Sequence, residues 1–226
     1  MKQLIYLTQI LYWIGILAPS STHAQVKLTQ RQKWEQKLER YARLDSLTPP
    51  PKDVNLFVGS STIENWKTLS DDFPDQIVLN RGVSGTKTID LYEFKDRLID
   101  PYEPKQIFIY EGDNDIGLGW KTDAIVDQFK QLVEEVRLSK PDARIVFIAV
   151  KPSPRRLKDR IQVEEVNARI RTYLEARPNT GYADVYNPML TADGQLIPRY
   201  YQDDGLHLTA AGYAVWKKVI EKFLEY

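Results

Sequence analysis

The amino-acid sequence predicts an α/β protein in which one five-stranded parallel sheet lies between two layers of helices, a three-layer α/β/α sandwich. Three observations predict it. Four short runs dense in Val, Ile, Leu and Phe, at 54–58, 76–80, 106–110 and 144–150, have the length of strands buried on both faces, and a fifth, shorter run follows at 182–186. Between the runs, apolar residues recur at three- and four-residue spacing, which is the mark of amphipathic helices. The regular alternation of the two patterns calls for parallel strands joined by crossover helices.

The elements follow in order. Residues 1–24 begin with Lys2, continue through an apolar stretch from Leu4 to Leu17, and end in small and polar residues before Ala24. That order is the one of a secretory signal peptide cut after Ala24, so the protein is expected to be exported to the periplasm or the outside of the cell. An apolar stretch of about 14 residues is short for a membrane span, and a retained anchor is the alternative reading. Residues 25–226 are expected to form a single domain, of which 25–52 make an N-terminal helix and a proline-rich lead-in. Thr29 and Gln32 have the spacing of a capping box, and Trp34, Leu38, Tyr41 and Leu44 mark one face of the helix behind it.

After the first strand, Gly59-Ser60-Ser61 is a tight turn into a helix start. The second strand leads to the glycine-bearing loop 81–85, and a helix is expected over 88–98, stopped before Pro101. The third strand ends in Glu111-Gly112-Asp113-Asn114-Asp115. Thr122 is placed to cap a helix carrying Ile125, Phe129, Val133 and Val136. Beyond the fourth strand, Val163, Val166, Ile170 and Tyr173 mark another helix. Thr209 caps the last, with Tyr213, Trp216, Ile220 and Phe223 on its inner face.

Composition excludes several functions. Basic and acidic residues balance at 31 each, which gives no support to nucleic-acid or polybasic-membrane binding. There is no cysteine, so thiol nucleophiles and cysteine-ligated metals are excluded. Two histidines, one of them within the expected signal peptide, and scattered carboxylates offer no zinc-type cluster, and neither metal nor cofactor is expected.

Candidate catalytic residues emerge from where the polar loops fall. The sequence has two histidines, and His23 would leave with the signal peptide, so His207 is the one available base. Asp204 precedes it by three residues and is able to hold the imidazole by its other nitrogen. In a parallel α/β sheet the carboxyl ends of the strands lie on one edge, so Ser61, Gly85, Asn114 and His207 should converge there. Each has a plainer reading alone: a surface turn, a glycine needed for positive φ, a solvated Asp-Asn-Asp loop, a stray Asp–His pair. Their combination and order separate the readings.

Phe57-Val58-Gly59-Ser60-Ser61-Thr62-Ile63, Asn80-Arg81-Gly82-Val83-Ser84-Gly85, Gly112-Asp113-Asn114-Asp115 and Asp204-Gly205-Leu206-His207 together resemble the four sequence blocks of the SGNH hydrolases, also called GDSL esterases and lipases. The resemblance runs from about Val54 to the end of the chain. It implies a flavodoxin-like fold and metal-free cleavage of esters, thioesters or O-acetyl groups. It further implies Ser61 as nucleophile, His207 as general base and Asp204 as its partner. The N–H groups of Ser61 and Gly85 and the amide of Asn114 would form the oxyanion hole. One departure is Ser60, which stands where the family usually has Asp in its Gly-Asp-Ser block, so two serines are adjacent. Ser61 holds the family's third position.

The expected function is therefore an exported serine esterase or acylhydrolase that works through an acyl-enzyme. Its substrate would be a carbohydrate ester, a lysophospholipid or another small ester. The alternatives are an O-acyltransferase on the same fold and a non-catalytic carbohydrate-binding protein. Arg155 and Arg156 are candidates to meet an anionic group of the substrate.

Overall fold

The computed structural model describes residues 28–224; the expected signal peptide, 1–24, lies outside them. The chain begins with α1 (Gln30–Leu47) and β1 (Val54–Gly59), then the short helices α2 (Ser61–Glu64) and α3 (Leu69–Asp72). Next come β2 (Val78–Gly82), α4 (Thr88–Glu93), α5 (Lys95–Leu98), β3 (Pro104–Tyr110), α6 (Asp113–Gly117) and α7 (Thr122–Ser139). The last elements are β4 (Arg144–Ile148), α8 (Arg160–Glu175), β5 (Thr180–Ala183) and α9 (Ala210–Leu224). All strand pairs are parallel and the order is β2-β1-β3-β4-β5, the flavodoxin-like winding. In such a sheet the order reverses between β1 and β3, and the crevice at their carboxyl ends is where ligands bind.

Helices cover both faces of the sheet. On one face Phe57 and Phe108 stack with ring centroids 4.4 Å apart, Phe57 meets Trp66, and Tyr110 meets Trp216 of α9 at 5.0 Å. On the other, Phe147, in register with Ile109, packs against Phe129 of α7 at 4.9 Å. Strands β1, β3 and β4 are buried along almost their whole length, which is why their residues read as continuous apolar runs.

Several boundaries differ from the sequence expectation, each for a local reason. β2 starts at Val78 because the Gln76 N–H is taken by the Phe73 carbonyl in a turn. β4 stops at Ile148, and the side chain of Asn167 on α8 pairs both polar groups of the Val150 backbone at 2.8 and 2.9 Å. β5 ends at Ala183 because the Asp184 carboxylate accepts the N–H groups of Tyr186 and Asn187. The helix expected over 88–98 is two, broken at Phe94, which is buried against Trp34. Thr122 is the first residue of α7 and not its cap.

Helix α1 has the expected capping box at Thr29 and Gln32 and buries Trp34, Leu38 and Tyr41. Leu44, expected on the same face, is 47 % exposed, and Asp45 beside it turns inward to Arg81 and Tyr102. Tyr201 is buried and donates its hydroxyl to the Pro152 carbonyl at 2.8 Å. Among the described residues no helix is long and apolar enough to cross a membrane.

Candidate active site

The first half of the site is made by a sharp exit from β1. Gly59 has φ +134°, and a Cβ there would lie 2.1 Å from the Tyr110 carbonyl oxygen on the neighbouring strand. Only glycine lets the chain pass so close to β3 and then turn. The Ser60 N–H donates to that same Tyr110 carbonyl, and the Ser60 carbonyl accepts from Ile63 and Glu64, which starts α2. Ser61 is then the first residue of a helix, where the backbone N–H has no intrahelical acceptor.

Ser61 and His207 lie 146 positions apart in sequence and meet at 3.0 Å, Oγ to Nε2. On the other side of the ring, Nδ1 is 2.5 Å from Oδ2 of Asp204. The second carboxylate oxygen accepts the backbone N–H groups of Leu206 and His207 at 2.9 and 3.0 Å. The hydrogen bond from His207 comes first among the causes that hold the Asp204 carboxyl far below the usual carboxylate range, joined by those two N–H groups and outweighing the small cost of burial. An ionised Asp204 fixes the tautomer: the proton sits on Nδ1, and Nε2 presents its lone pair to the Ser61 hydroxyl. Ser60 is 2 % exposed and the imidazole meets its neighbour instead, so geometry separates the two serines.

The oxyanion-hole candidates sit on the loops after β2 and β3. Gly85 has φ +81°, and its N–H has no hydrogen-bond partner among the described residues. Asn114 stands at the start of α6 and donates from Nδ2 to the Thr86 carbonyl at 2.8 Å. The amide has two protons, so one remains for a ligand while the other fixes the side chain next to Gly85. Gly59 pairs with Gly82 on one side and Tyr110 on the other, which brings the loops bearing Ser61, Gly85 and Asn114 to one corner of the sheet.

Supporting contacts, made between residues far apart in sequence and without a local sequence signal, surround these residues. Helix α1 braces the 82–85 loop: Trp34 and Gln30 donate to the Ser84 carbonyl at 2.9 and 3.1 Å, and Tyr41 donates to the Gly82 carbonyl at 2.6 Å. Glu64, paired with Lys37 at 2.8 Å, accepts the Ser84 N–H at 2.6 Å. Arg155 holds the His207 loop, its N–H donating to the Gly205 carbonyl and its Nε to the Asp204 carbonyl. Arg156 reaches Asp113 at 2.8 Å. Both arginines, candidates for a substrate contact or for a merely solvated pair, are thus engaged with the protein itself.

Beneath the site, Lys151 is fully buried and bonds Asp113 at 2.7 Å and the Tyr110 hydroxyl at 3.1 Å. Burial would push the Asp113 carboxyl up, but Lys151 and Arg156 outweigh it and hold it below its ordinary value. The signal for this pair was a lysine closing an apolar strand, which needs a buried anion nearby. Among the described residues no group of three or more His, Asp or Glu is placed to hold a metal.

The sequence matches the model of the GDSL-like lipase/acylhydrolase family over residues 45–215. No curated protein matches it. Among solved structures, a GDSL-like lipase from Bacteroides thetaiotaomicron is 25 % identical with TM-score 0.72, covering 83 % of this chain and 97 % of that one. A Streptococcus pneumonia protein, provisionally described as a platelet activating factor, is 22 % identical with TM-score 0.78, covering 86 % and 94 %. An acetylxylan esterase from Geobacillus stearothermophilus, solved as a catalytic mutant, is 15 % identical with TM-score 0.65, covering 78 % and 97 %.

Proposed function

Because the chain belongs to the GDSL-like lipase/acylhydrolase family and is a serine hydrolase acting on esters, we propose that it is an exported esterase. It removes an acetyl or other short acyl group from a carbohydrate or similar small alcohol, through an acyl-enzyme on Ser61. The observation that carries the reading is the unbroken chain from Ser61 Oγ through His207 to Asp204, at 3.0 and 2.5 Å.

A serine hydroxyl is a weak nucleophile until an adjacent base takes its proton. His207 Nε2 accepts that proton as Ser61 Oγ bonds to the ester carbonyl carbon. The carbonyl oxygen becomes an anion, received by the N–H groups of Ser61 and Gly85 and the free amide proton of Asn114. Collapse of this intermediate breaks the bond to the alcohol oxygen, to which His207 returns the proton. The acyl group stays on Ser61. Water then attacks it, His207 again serving as base, and the acid leaves with Ser61 restored. Asp204 remains ionised throughout and stabilises the transient imidazolium.

Water as acceptor is favoured by the exposure of the dyad: the side chains of His207 and Asp204 are 27 % and 38 % exposed. A transferase would need to keep water from that acyl-enzyme. The fold shared with an acetylxylan esterase supports an acylated carbohydrate as the substrate class. The test is a fluorophosphonate probe followed by a panel of acetylated sugars, lysophospholipid and p-nitrophenyl esters of rising chain length. Labelling at Ser61, lost in Ser61→Ala, with turnover falling as the acyl chain lengthens, is expected. A folded protein that is neither labelled nor active on any ester would overturn the proposal. Export is checked separately: the protein recovered from outside the cytoplasm should begin at Gln25.

A further inference from the structure

Thr86 follows Gly85, and its side chain presents a donor-counting problem. Its hydroxyl oxygen lies 2.8 Å from the Val83 carbonyl and 2.7 Å from Oε1 of Glu111. A hydroxyl has one proton, and a carbonyl only accepts. If Glu111 were a carboxylate, two acceptors would compete for that proton and one close contact would be repulsive. The contacts are compatible if Glu111 carries the proton: Oε1–H donates to Thr86 Oγ1, and Thr86 donates onward to Val83.

Burial points the same way. Glu111 is 1 % exposed, Thr86 is 1 % exposed, and the second carboxyl oxygen, Oε2, has no hydrogen-bond partner among the described residues. An anion with an unpaired oxygen in such a place is costly, whereas a neutral acid loses only one weak acceptor contact. The surrounding charges also disfavour ionisation. Burial, then Asp115, push the Glu111 carboxyl well above its ordinary range, and Asp90 adds to them; the Thr86 hydroxyl and Lys87 oppose. Lys87 is committed to Asp90, and Asp115 to the Thr88 N–H at 3.2 Å.

The geometry points to Glu111 as a neutral acid that positions the oxyanion hole. It pins the Thr86 hydroxyl and so fixes the 83–86 turn that presents the Gly85 N–H. The Thr86 carbonyl in turn receives the Asn114 amide at 2.8 Å. Glu111 touches neither substrate nor reacting atoms; it is a positioning residue. The inference rests on the reading of Gly85 and Asn114 as oxyanion donors.

The test compares Glu111→Gln, whose amide is neutral and still donates, with Glu111→Leu and Thr86→Val, which remove the donor and the relay. Glu111→Gln should keep kcat within about threefold of the native enzyme. The other two should lose about 10–100-fold in kcat with KM little changed, a part of the loss that follows removal of a hole donor itself. Protonation is read without catalysis. In the unfolded chain Glu111 ionises near pH 4.3, whereas in the fold it keeps its proton to higher pH. The unfolded state then binds fewer protons, so the native protein loses about tenfold in its folding equilibrium for each pH unit above that value, until the folded carboxyl ionises. Glu111→Gln lacks this loss, so its Tm should rise relative to the native protein as pH increases from 4 towards 8. A flat Tm difference across that range, or a Glu111→Gln enzyme as impaired as Thr86→Val, would overturn the inference. If Glu111→Leu does not fold, Thr86→Val and the pH series still decide it. An Asn114→Ala control separates the premise: if kcat is unchanged there, the oxyanion reading itself has failed.

Discussion

Asn114→Ala perturbs two things that the structure separates. The side chain uses one amide proton on the Thr86 carbonyl at 2.8 Å, and the other is the proposed oxyanion donor. Losing the second removes one of the three proposed oxyanion donors, typically a loss of ~10²–10³ in kcat, or ~2.7–4 kcal/mol of transition-state stabilisation. Losing the first leaves a buried carbonyl without that donor, at about 1–3 kcal/mol of stability. For a domain of this size, each kcal/mol lowers Tm by about 2–4 °C. The variant should therefore be folded, melt several degrees lower, and hydrolyse a p-nitrophenyl acetate type of ester at least a hundredfold more slowly with KM little altered. Its reaction with a fluorophosphonate should slow as well, because the phosphoryl oxygen occupies the same hole. The reasoning is refuted if kcat is native, or if the activity loss is recovered simply by assaying at a temperature well below the lowered Tm.

Four further outcomes follow from the same contacts. Ser61→Ala and His207→Ala should each lose turnover almost completely, whereas Ser60→Ala should still be labelled by a fluorophosphonate at Ser61; loss of labelling in Ser60→Ala, or labelling at Ser60 in Ser61→Ala, would reverse the assignment of the nucleophile. Asp204→Asn should lower kcat by up to about 10⁴-fold by favouring the wrong imidazole tautomer, measured with the same chromogenic ester. The folded carboxyl of Asp204 is held below its unfolded value, so its stabilising contribution is complete above about pH 4 and is lost as pH falls through the folded value. The Tm advantage of the native protein over Asp204→Asn should therefore shrink in acid, as calorimetry at pH 6 and pH 2.5 would register. Gly59→Ala forces a Cβ against the Tyr110 carbonyl and a side chain into a positive-φ conformation; destabilisation by more than about 2 kcal/mol in urea titration is expected.

What sequence reading reached, and where it stopped, follows from the range of the interactions. Strands buried on both faces declare themselves as apolar runs, and their alternation with helices nearly fixes the topology; hence five strands in the expected sequence places. The residues that meet at the site were legible because each lies at a strand's carboxyl end or beside a helix start, where the fold itself gathers polar groups. Strand ends were misplaced where a side chain stopped the ladder, as Asn167 does at Val150 and Asp184 does at Tyr186. Nothing in a local window around Val150 announces an asparagine on the following helix. The same limit hid the role of α1. Its capping box and apolar stripe foretold a helix, but the contacts of Trp34 and Gln30 with Ser84 span 50 and 54 residues of sequence.

Two buried ions, Lys151 and Asp113, lie under the site, whose His207 and Asp204 side chains are partly open to solvent. Asp113 pairs with Lys151 through one carboxylate oxygen and with Arg156 through the other, so removing Asp113 leaves Lys151 buried without a counter-ion, a change that typically costs about 3–5 kcal/mol, whereas removing Lys151 leaves the carboxylate to Arg156 alone. The pair lies directly between the β3 exit that carries Asn114 and the β4 exit whose Arg155 holds the His207 loop. Lys151→Met, which leaves the buried Asp113 carboxylate with one cation in place of two, should lower Tm. In whatever fraction stays folded, kcat should fall through displacement of both loops, while Ser61 remains accessible to the probe. Replacing both partners, Asp113→Leu with Lys151→Met, should restore much of the stability, because two apolar side chains leave no orphaned charge apart from Arg156 at the rim. A double variant no more stable than the single one would show that the ion pair acts through its hydrogen bonds to Tyr110 and Arg156, and not through mutual neutralisation.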